Sequence, residues 1–305
     1  MKNKIVIICG PTGIGKTGFA IEIARRFNGE IIGADSMQIY KYMDIGTAKP
    51  DKSERELAPH HLIDFLEPDK EFDVGKYMET ADAAINDISS RSKLPIVVGG
   101  TGFYIKALVH GLFRDRTVDA DVIKRLEQEK DEKGSHILHE RLALLDPEAA
   151  QRIHPNDSFR IVRALEVVEV TGNPISAFQK QHGFSSQRYI PLKIALYMDR
   201  EELYQRIEQR VDIMIEQGFV DEVKSLINKG YGCDLKSMQS IGYRHICDFL
   251  CNSISWDETI RTLKRDTRRY AKRQLTWFRQ DTDMIWLALD KTYQAEELIK
   301  RFIEL

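Results

Sequence analysis

No run of about 18 apolar residues occurs in this chain, so it offers no candidate membrane-spanning helix. The amino terminus leads straight into a charged strand pattern instead of a signal segment, and the expectation is a soluble, cytoplasmic protein with no membrane partner. Cysteine is scarce. The four residues Cys9, Cys233, Cys247 and Cys251 are too few and too scattered for a disulfide framework. His245, Cys233, Cys247 and Cys251 could be imagined as a zinc set, but their spacing fits no standard finger and ordinary burial is expected. Charge of one sign is also lacking: the formal net charge is −2, so global charge gives no pull toward nucleic acid. Internal repeats and low-complexity tracts are absent as well. What is present is length, with 305 residues sufficing for a main domain plus an insertion.

Against these absences one segment stands out. Gly10 to Thr17 read Gly-Pro-Thr-Gly-Ile-Gly-Lys-Thr, directly after the apolar run Ile5 to Cys9 and at the start of a helical pattern. That is the G-x-x-x-x-G-K-[ST] phosphate loop in its strand-to-helix context. Its glycines let successive N–H groups converge where the helix macrodipole is positive, which makes an anion site. Lys16 would reach the outer phosphate. Thr17 would offer its hydroxyl, directly or through water, to a divalent cation, for which Mg²⁺ is expected because it leans on substrate phosphates. The chain is therefore expected to bind a phosphorylated ligand, although the loop does not specify a nucleotide.

Strand and helix patterns alternate: strands near Lys4 to Cys9, Glu30 to Ala34 and Pro95 to Val98, with helices over Lys16 to Phe27 and Val74 to Arg91. Leu192 to Met198 and Met284 to Leu289 read as further strands. This predicts the α/β class, a P-loop NTPase-like parallel sheet covered on both faces. Between the two parts, Val122 to Lys133, His136 to Leu145 and Phe159 to Thr171 read as helices punctuated by Pro147, Pro155 and Gly172-Asn173-Pro174. The expected division is a core over 1–115, a helical insertion over 116–188, and the rest of the core over 189–305.

Ligands of an open parallel sheet sit at the carboxyl ends of its strands. Besides the phosphate loop, two such ends deliver Asp35-Ser36-Met37-Gln38-Ile39-Tyr40 and Gly99-Gly100-Thr101-Gly102-Phe103-Tyr104. Asp35 suits a general base or outer support for a cation, and equally a helix or turn cap. Gln38 carries the donor and acceptor that read an adenine edge. Thr101 could orient a reacting group or merely sit in a tight turn. The strand Pro95 to Val98 ends in glycine where a motor-type NTPase places a metal-binding acid, which weighs against that class and leaves a small-molecule kinase in play. Farther on, Arg261, Arg265, Arg268 and Lys272 recur at helical spacing opposite Leu263, Tyr270 and Trp277. This is either a solvated amphipathic helix or a basic stripe that tracks phosphates.

The ordered set of motifs resembles the tRNA dimethylallyltransferase (IPP transferase) family. It comprises the phosphate loop, Asp-Ser-x-Gln-x-Tyr at 35–40, Met-Asp-Ile-Gly-Thr-Ala-Lys-Pro at 43–50, His-His-Leu-Ile-Asp at 60–64 and Gly-Gly-Thr-Gly-Phe-Tyr at 99–104. It continues with His-Pro-Asn-Asp at 154–157, Arg160, Arg-Ala-Leu-Glu-Val at 163–167, Ile-Gly-Tyr-Arg at 241–244 and Arg-Arg-Tyr-Ala-Lys-Arg-Gln-Leu-Thr-Trp-Phe at 268–278. The resemblance implies transfer of a dimethylallyl group from dimethylallyl diphosphate to N6 of adenosine 37, beside the anticodon, in tRNAs that read codons beginning with U. It implies catalytic roles for Asp35, Thr101 and Lys16. Gly10, Thr12, Gly13, Ile14, Gly15, Lys16, Thr17 and Arg210 would cradle the diphosphate, and Mg²⁺ would be the cofactor. For the tRNA anticodon stem-loop it implies contacts from Asp35, Ser36, Met37 and Gln38 and from Phe159, Arg160, Ile161, Val162 and Arg163. The chain ends without the zinc finger that eukaryotic relatives often add, the pattern of a bacterial type, and a monomer is expected. A relative that alkylates free adenylate is the nearest rival, against which the insertion and the basic helix argue.

Overall fold

A computed structural model describes residues 2–112, 119–182 and 186–304. Its sheet has six strands: β1 (Lys4–Cys9), β2 (Gly29–Gly33), β3 (His60–His61), β4 (Leu94–Gly99), β5 (Ile190–Tyr197) and β6 (Ile285–Ala288). Their order is β3-β2-β4-β1-β5-β6, and every pairing is parallel. Central β1 is apolar from Ile5 to Cys9 because both of its faces are covered there. Val6 and Ile8 point into one core with Ile96, Ile194 and Phe19. Ile5, Ile7 and Cys9 point into the other, with Ile32, Val97 and Tyr77. The two-residue β3 was not legible as a strand in the pattern of the sequence.

Helix starts follow local chemistry. Asp73 accepts from the Lys76 amide to open helix Val74–Ser90, and Ser255 accepts from the Glu258 amide to open Trp256–Phe278. Asp199, which ends an apolar run, accepts from the amides of Glu201 and Glu202 and so caps helix Arg200–Glu216. A third apolar cluster of the sheet-containing unit gathers Ile39, Met43, Phe219, Met238 and Tyr243. Cys233 and Cys247 lie there with Cα atoms 5.9 Å apart and form a disulfide, which corrects the expectation of simple burial. Among the described residues no group of three His, Cys, Asp or Glu is placed to hold a metal, so the zinc set is not assembled.

The chain divides into two compact units, 1–109 with 188–305, and 110–187. The excursion leaves and returns at neighbouring points, where the Arg188 amide donates to the Val109 carbonyl at 2.7 Å. The unit 110–187 is helical, built around Leu126, Leu138, Leu142, Ile161 and Leu165. Its buried Asp146 accepts from the amides of Ala149 and Ser176, and its buried Glu166 from Arg163 and the Asp119 amide.

Candidate active site

Three adjacent strands carry the site. At the end of β1 the phosphate loop turns through Gly13 (φ +83°) and Gly15 (φ +99°), conformations that L side chains rarely adopt. A Cβ at Gly13 would also sit 2.9 Å from Ile207. Gly15 stands at the head of helix Lys16–Arg26 with no side-chain cap, leaving the first amides of the helix available to an anion. Ile14 is fully buried, so its side chain anchors the loop while its backbone shapes the cradle.

The Lys16 ammonium folds onto the loop, donating to the carbonyls of Gly10 (3.0 Å) and Pro11 (2.8 Å). Desolvation lowers its pKa to about 8, with the Asp35 charge opposing that shift and the Arg210 charge adding to it. Burial likewise pushes the Arg210 guanidinium down. Arg210 reaches the loop from helix Arg200–Glu216 and donates to the Thr12 hydroxyl at 3.2 Å. Two cations thus stand desolvated at one loop, an arrangement that an incoming polyanion would relieve.

Beyond β2, Asp35 serves as a turn cap and also faces the cavity. Its Oδ1 accepts from the amides of Met37 (2.9 Å) and Gln38 (3.4 Å), which is the turn cap. The carboxylate also lines the same cavity as Lys16, Thr17 and Arg210. Beyond β4, Thr101 Oγ1 accepts from the Ser36 amide at 3.2 Å, while the Thr101 amide donates to the Ala34 carbonyl at 3.1 Å. The loops that follow β2 and β4 are therefore stitched to each other. The cavity measures about 900 Å³ and has an apolar wall that includes Ile45, Ile213 and Met214.

That wall rests on a residue the sequence did not single out. The Glu222 carboxylate accepts from the successive amides of Asp44 (3.0 Å), Ile45 (2.7 Å) and Gly46 (3.1 Å) and from the Tyr243 hydroxyl (2.6 Å). Gln38 Nε2 then donates to the carbonyls of Thr47 (3.2 Å) and Ala48 (3.0 Å). Both amide hydrogens of Gln38 are committed to the chain, so bidentate reading of an adenine edge gives way to a single carbonyl acceptor. Gln274 and Tyr270 also enter the site. Burial foremost, with the Asp35 charge adding to it, raises the pKa of the Tyr270 hydroxyl.

Within the helical unit, the segment 159–163 is split by its own core. Phe159 (77% exposed) and Arg160 point outward, and Arg163 is half-buried, whereas Ile161 (0%) and Val162 (8%) are core residues whose side chains cannot serve as contacts. Arg160 pairs with Asp157 at 2.6 Å and Arg163 with Glu166 at 2.5 Å. The basic stripe is likewise reduced: Arg261, Arg265 and Arg268 pair with Glu258, Asp266 and Glu208. The packed face of that helix comprises Leu263, Ala271, Gln274 and Phe278, with Trp277 partly exposed and edge-on to Phe103.

Comparison with known proteins places the chain in a family. The family model described as IPP transferase matches residues 38–281, and the one described as isopentenyl transferase matches residues 3–67. A tRNA dimethylallyltransferase of Desulfosudis oleivorans is 51% identical over 305 residues, covering 99% of this chain and 96% of that protein. One of Acetivibrio thermocellus is 50% identical over 299 residues, covering 98% and 96%. Among solved structures, the tRNA isopentenylpyrophosphate transferase of Bacillus halodurans superposes with a TM-score of 0.74 at 41% identity, covering 99% of this chain and 97% of that one. A eukaryotic dimethylallyltransferase acting on tRNA superposes with a TM-score of 0.80 at 32% identity, covering 94% and 74%. With a matching model across most of its length and relatives half identical to it from end to end, this chain belongs to the IPP transferase family, the tRNA dimethylallyltransferases.

Proposed function

We propose that this enzyme transfers the dimethylallyl group of dimethylallyl diphosphate to N6 of adenosine 37 in tRNAs reading codons that begin with U, releasing diphosphate. The observation that carries this reading is the convergence of the phosphate loop, Asp35 and an apolar wall on one cavity. A cradle for a departing anion beside a carboxylate suits substitution at carbon, and the wall of Ile45, Ile213 and Met214 suits a branched hydrocarbon tail.

In this mechanism the loop amides, Lys16 and Arg210 bind the diphosphate and take up the charge that builds on it as the C–O bond breaks. Asp35 accepts the N6 proton as the C–N bond forms, through the oxygen that the turn cap leaves free. Thr101, fixed by Ser36, orients the amine. A stacked adenine must leave its neighbours to reach such a pocket, which costs a few kcal/mol and is repaid by backbone contacts from outward residues such as Phe159 and Arg160.

The donor set fits Mg²⁺. Thr17 would supply a single protein hydroxyl with Asp35 nearby as outer support, too little for a resident site and appropriate for an ion held largely by substrate phosphates. When bound there, Mg²⁺ adds positive charge against the diphosphate oxygens. No described helix is long and apolar enough to cross a membrane, and work on tRNA supports a cytoplasmic setting.

The test incubates the protein and Mg²⁺ with labelled dimethylallyl diphosphate and either unmodified tRNA or AMP. Label in nucleoside 37 of tRNA is the expected result. Label in AMP alone would make the enzyme an adenylate dimethylallyltransferase, and phosphorylation by ATP without alkylation would make it a kinase.

A further inference from the structure

We infer that Gln274 is a positioning residue that fixes the separation between the diphosphate cradle and the loop orienting the attacking amine, an inference that rests on the transfer reaction proposed above. Gln274 belongs to the packed face of helix Trp256–Phe278, where Leu263, Ala271 and Phe278 are its buried companions. An amide in that row must find partners for both of its ends. Its Oε1 accepts from the Thr12 amide at 2.8 Å, and its Nε2 donates to the Gly100 carbonyl at 2.9 Å.

The two ends lie on different working parts. Thr12 is in the phosphate loop, and its hydroxyl carries Arg210. Gly100 precedes Thr101, the residue tied to Ser36 beside Asp35. A single side chain from the far end of the sequence therefore spans the leaving-group side and the nucleophile side of the reaction. The Thr12 amide, spent on Gln274, is withdrawn from the anion cradle, so this loop gives up one phosphate donor for the link.

Gly100 records how close the link is. A Cβ there would lie 2.2 Å from Gln274 Nε2, while its next neighbours would be at 3.4 and 3.5 Å, ordinary contact. Gly100 does not adopt a left-handed backbone, so only the amide of Gln274 excludes a side chain at this position. In-line displacement is sensitive to such spacing, since an error of about 1 Å costs on the order of 10²-fold in rate.

Single-turnover transfer, with enzyme and dimethylallyl diphosphate saturating over labelled tRNA, is paired with circular dichroism to separate positioning from stability: the dichroism reports the folded fraction and the rate constant reports geometry. Gln274→Met keeps the volume and removes the amide; it is expected to lower the rate constant about 10²-fold with the dichroism retained. Gly100→Ala is expected to lose a similar factor. The double variant Gly100→Ala, Gln274→Ala should be no slower than Gln274→Ala alone, because the added methyl then enters vacated space. A wild-type rate constant in Gln274→Met, or losses that multiply in the double variant, would overturn the inference. Absence of transfer by the wild type would instead overturn the reaction on which it rests.

Discussion

Glu222→Ala tests how the cavity wall is held. The carboxylate accepts from three successive amides and from the Tyr243 hydroxyl, at 2.6 to 3.1 Å. Each hydrogen bond to a charged acceptor is worth about 1.5–3 kcal/mol net. Asp44 is exposed, so water replaces its share; the Ile45 and Gly46 amides and the hydroxyl, taken near the lower value, leave a loss of about 4 kcal/mol. At about 1.4 kcal/mol per decade, amide exchange at Ile45 and Gly46 should quicken by about 10³-fold through local opening of the loop. The released Thr47 and Ala48 carbonyls would free Gln38, so transfer to tRNA should slow while diphosphate affinity, set by the phosphate loop, stays within about threefold. Native-state hydrogen exchange read by mass spectrometry, with calorimetry of diphosphate binding, measures both. Unchanged protection at Ile45 and Gly46, or weakened diphosphate binding equal to the loss of transfer, would refute the reasoning.

Asp35→Asn retains the oxygen that caps the turn but cannot accept a proton, so kcat should fall by about 10² or more while tRNA affinity measured by filter binding stays near wild type; normal turnover would remove Asp35 as the base. Arg160→Ala should weaken tRNA binding and flatten the plot of log affinity against log salt by about 0.7–0.9. An unchanged slope would place the phosphate contact elsewhere. Glu30, buried at the start of β2, accepts from Arg91, Lys93 and His61. Its hydrogen bonds with Arg91 foremost, joined by those from Lys93 and His61, hold its pKa far below the ordinary carboxylate range against the effect of burial. Glu30→Ala should cost about 3 kcal/mol of stability at neutral pH with kcat unaffected. Because the folded-state pKa is depressed, this stabilisation is complete above about pH 4.5 and drains away as pH falls further. The Tm gap between wild type and variant should therefore be flat above that pH and close below it; a constant gap down to pH 3 would argue against the assignment.

The sheet was legible because buried parallel strands are written as apolar runs, and the phosphate loop because its backbone shape demands glycine at set positions. Asp35 showed its place at a strand end, but capping and the proposed proton transfer ask for the same kind of side chain, so spacing could not separate them. Gln274 was hidden by its neighbours: surrounded by Lys272 and Arg273, an amide looks solvated, and the heptad reading of Leu263, Tyr270 and Trp277 pointed one step around the helix from the row that packs. Glu222 was hidden for another reason, since its partners lie about 176 to 178 residues earlier and two of its three amides belong to residues with no polar side chain to advertise the contact. The pairing of Cys233 with Cys247 depends on where the turn into helix Tyr243–Leu250 brings the chain, which residue spacing does not encode.

The joined exit and return at Val109 and Arg188 has a bearing on how this architecture can change. A segment that departs and rejoins at hydrogen-bonded neighbours can lengthen, shorten or be exchanged without shifting the register of β1 against β5. Grafting a short linker between those two residues should leave a sheet that still folds and a cradle that still holds diphosphate. The same economy creates a dependence on synthesis order: β1 waits at the ribosome with one flank open until the excursion has emerged and β5 arrives to cover it.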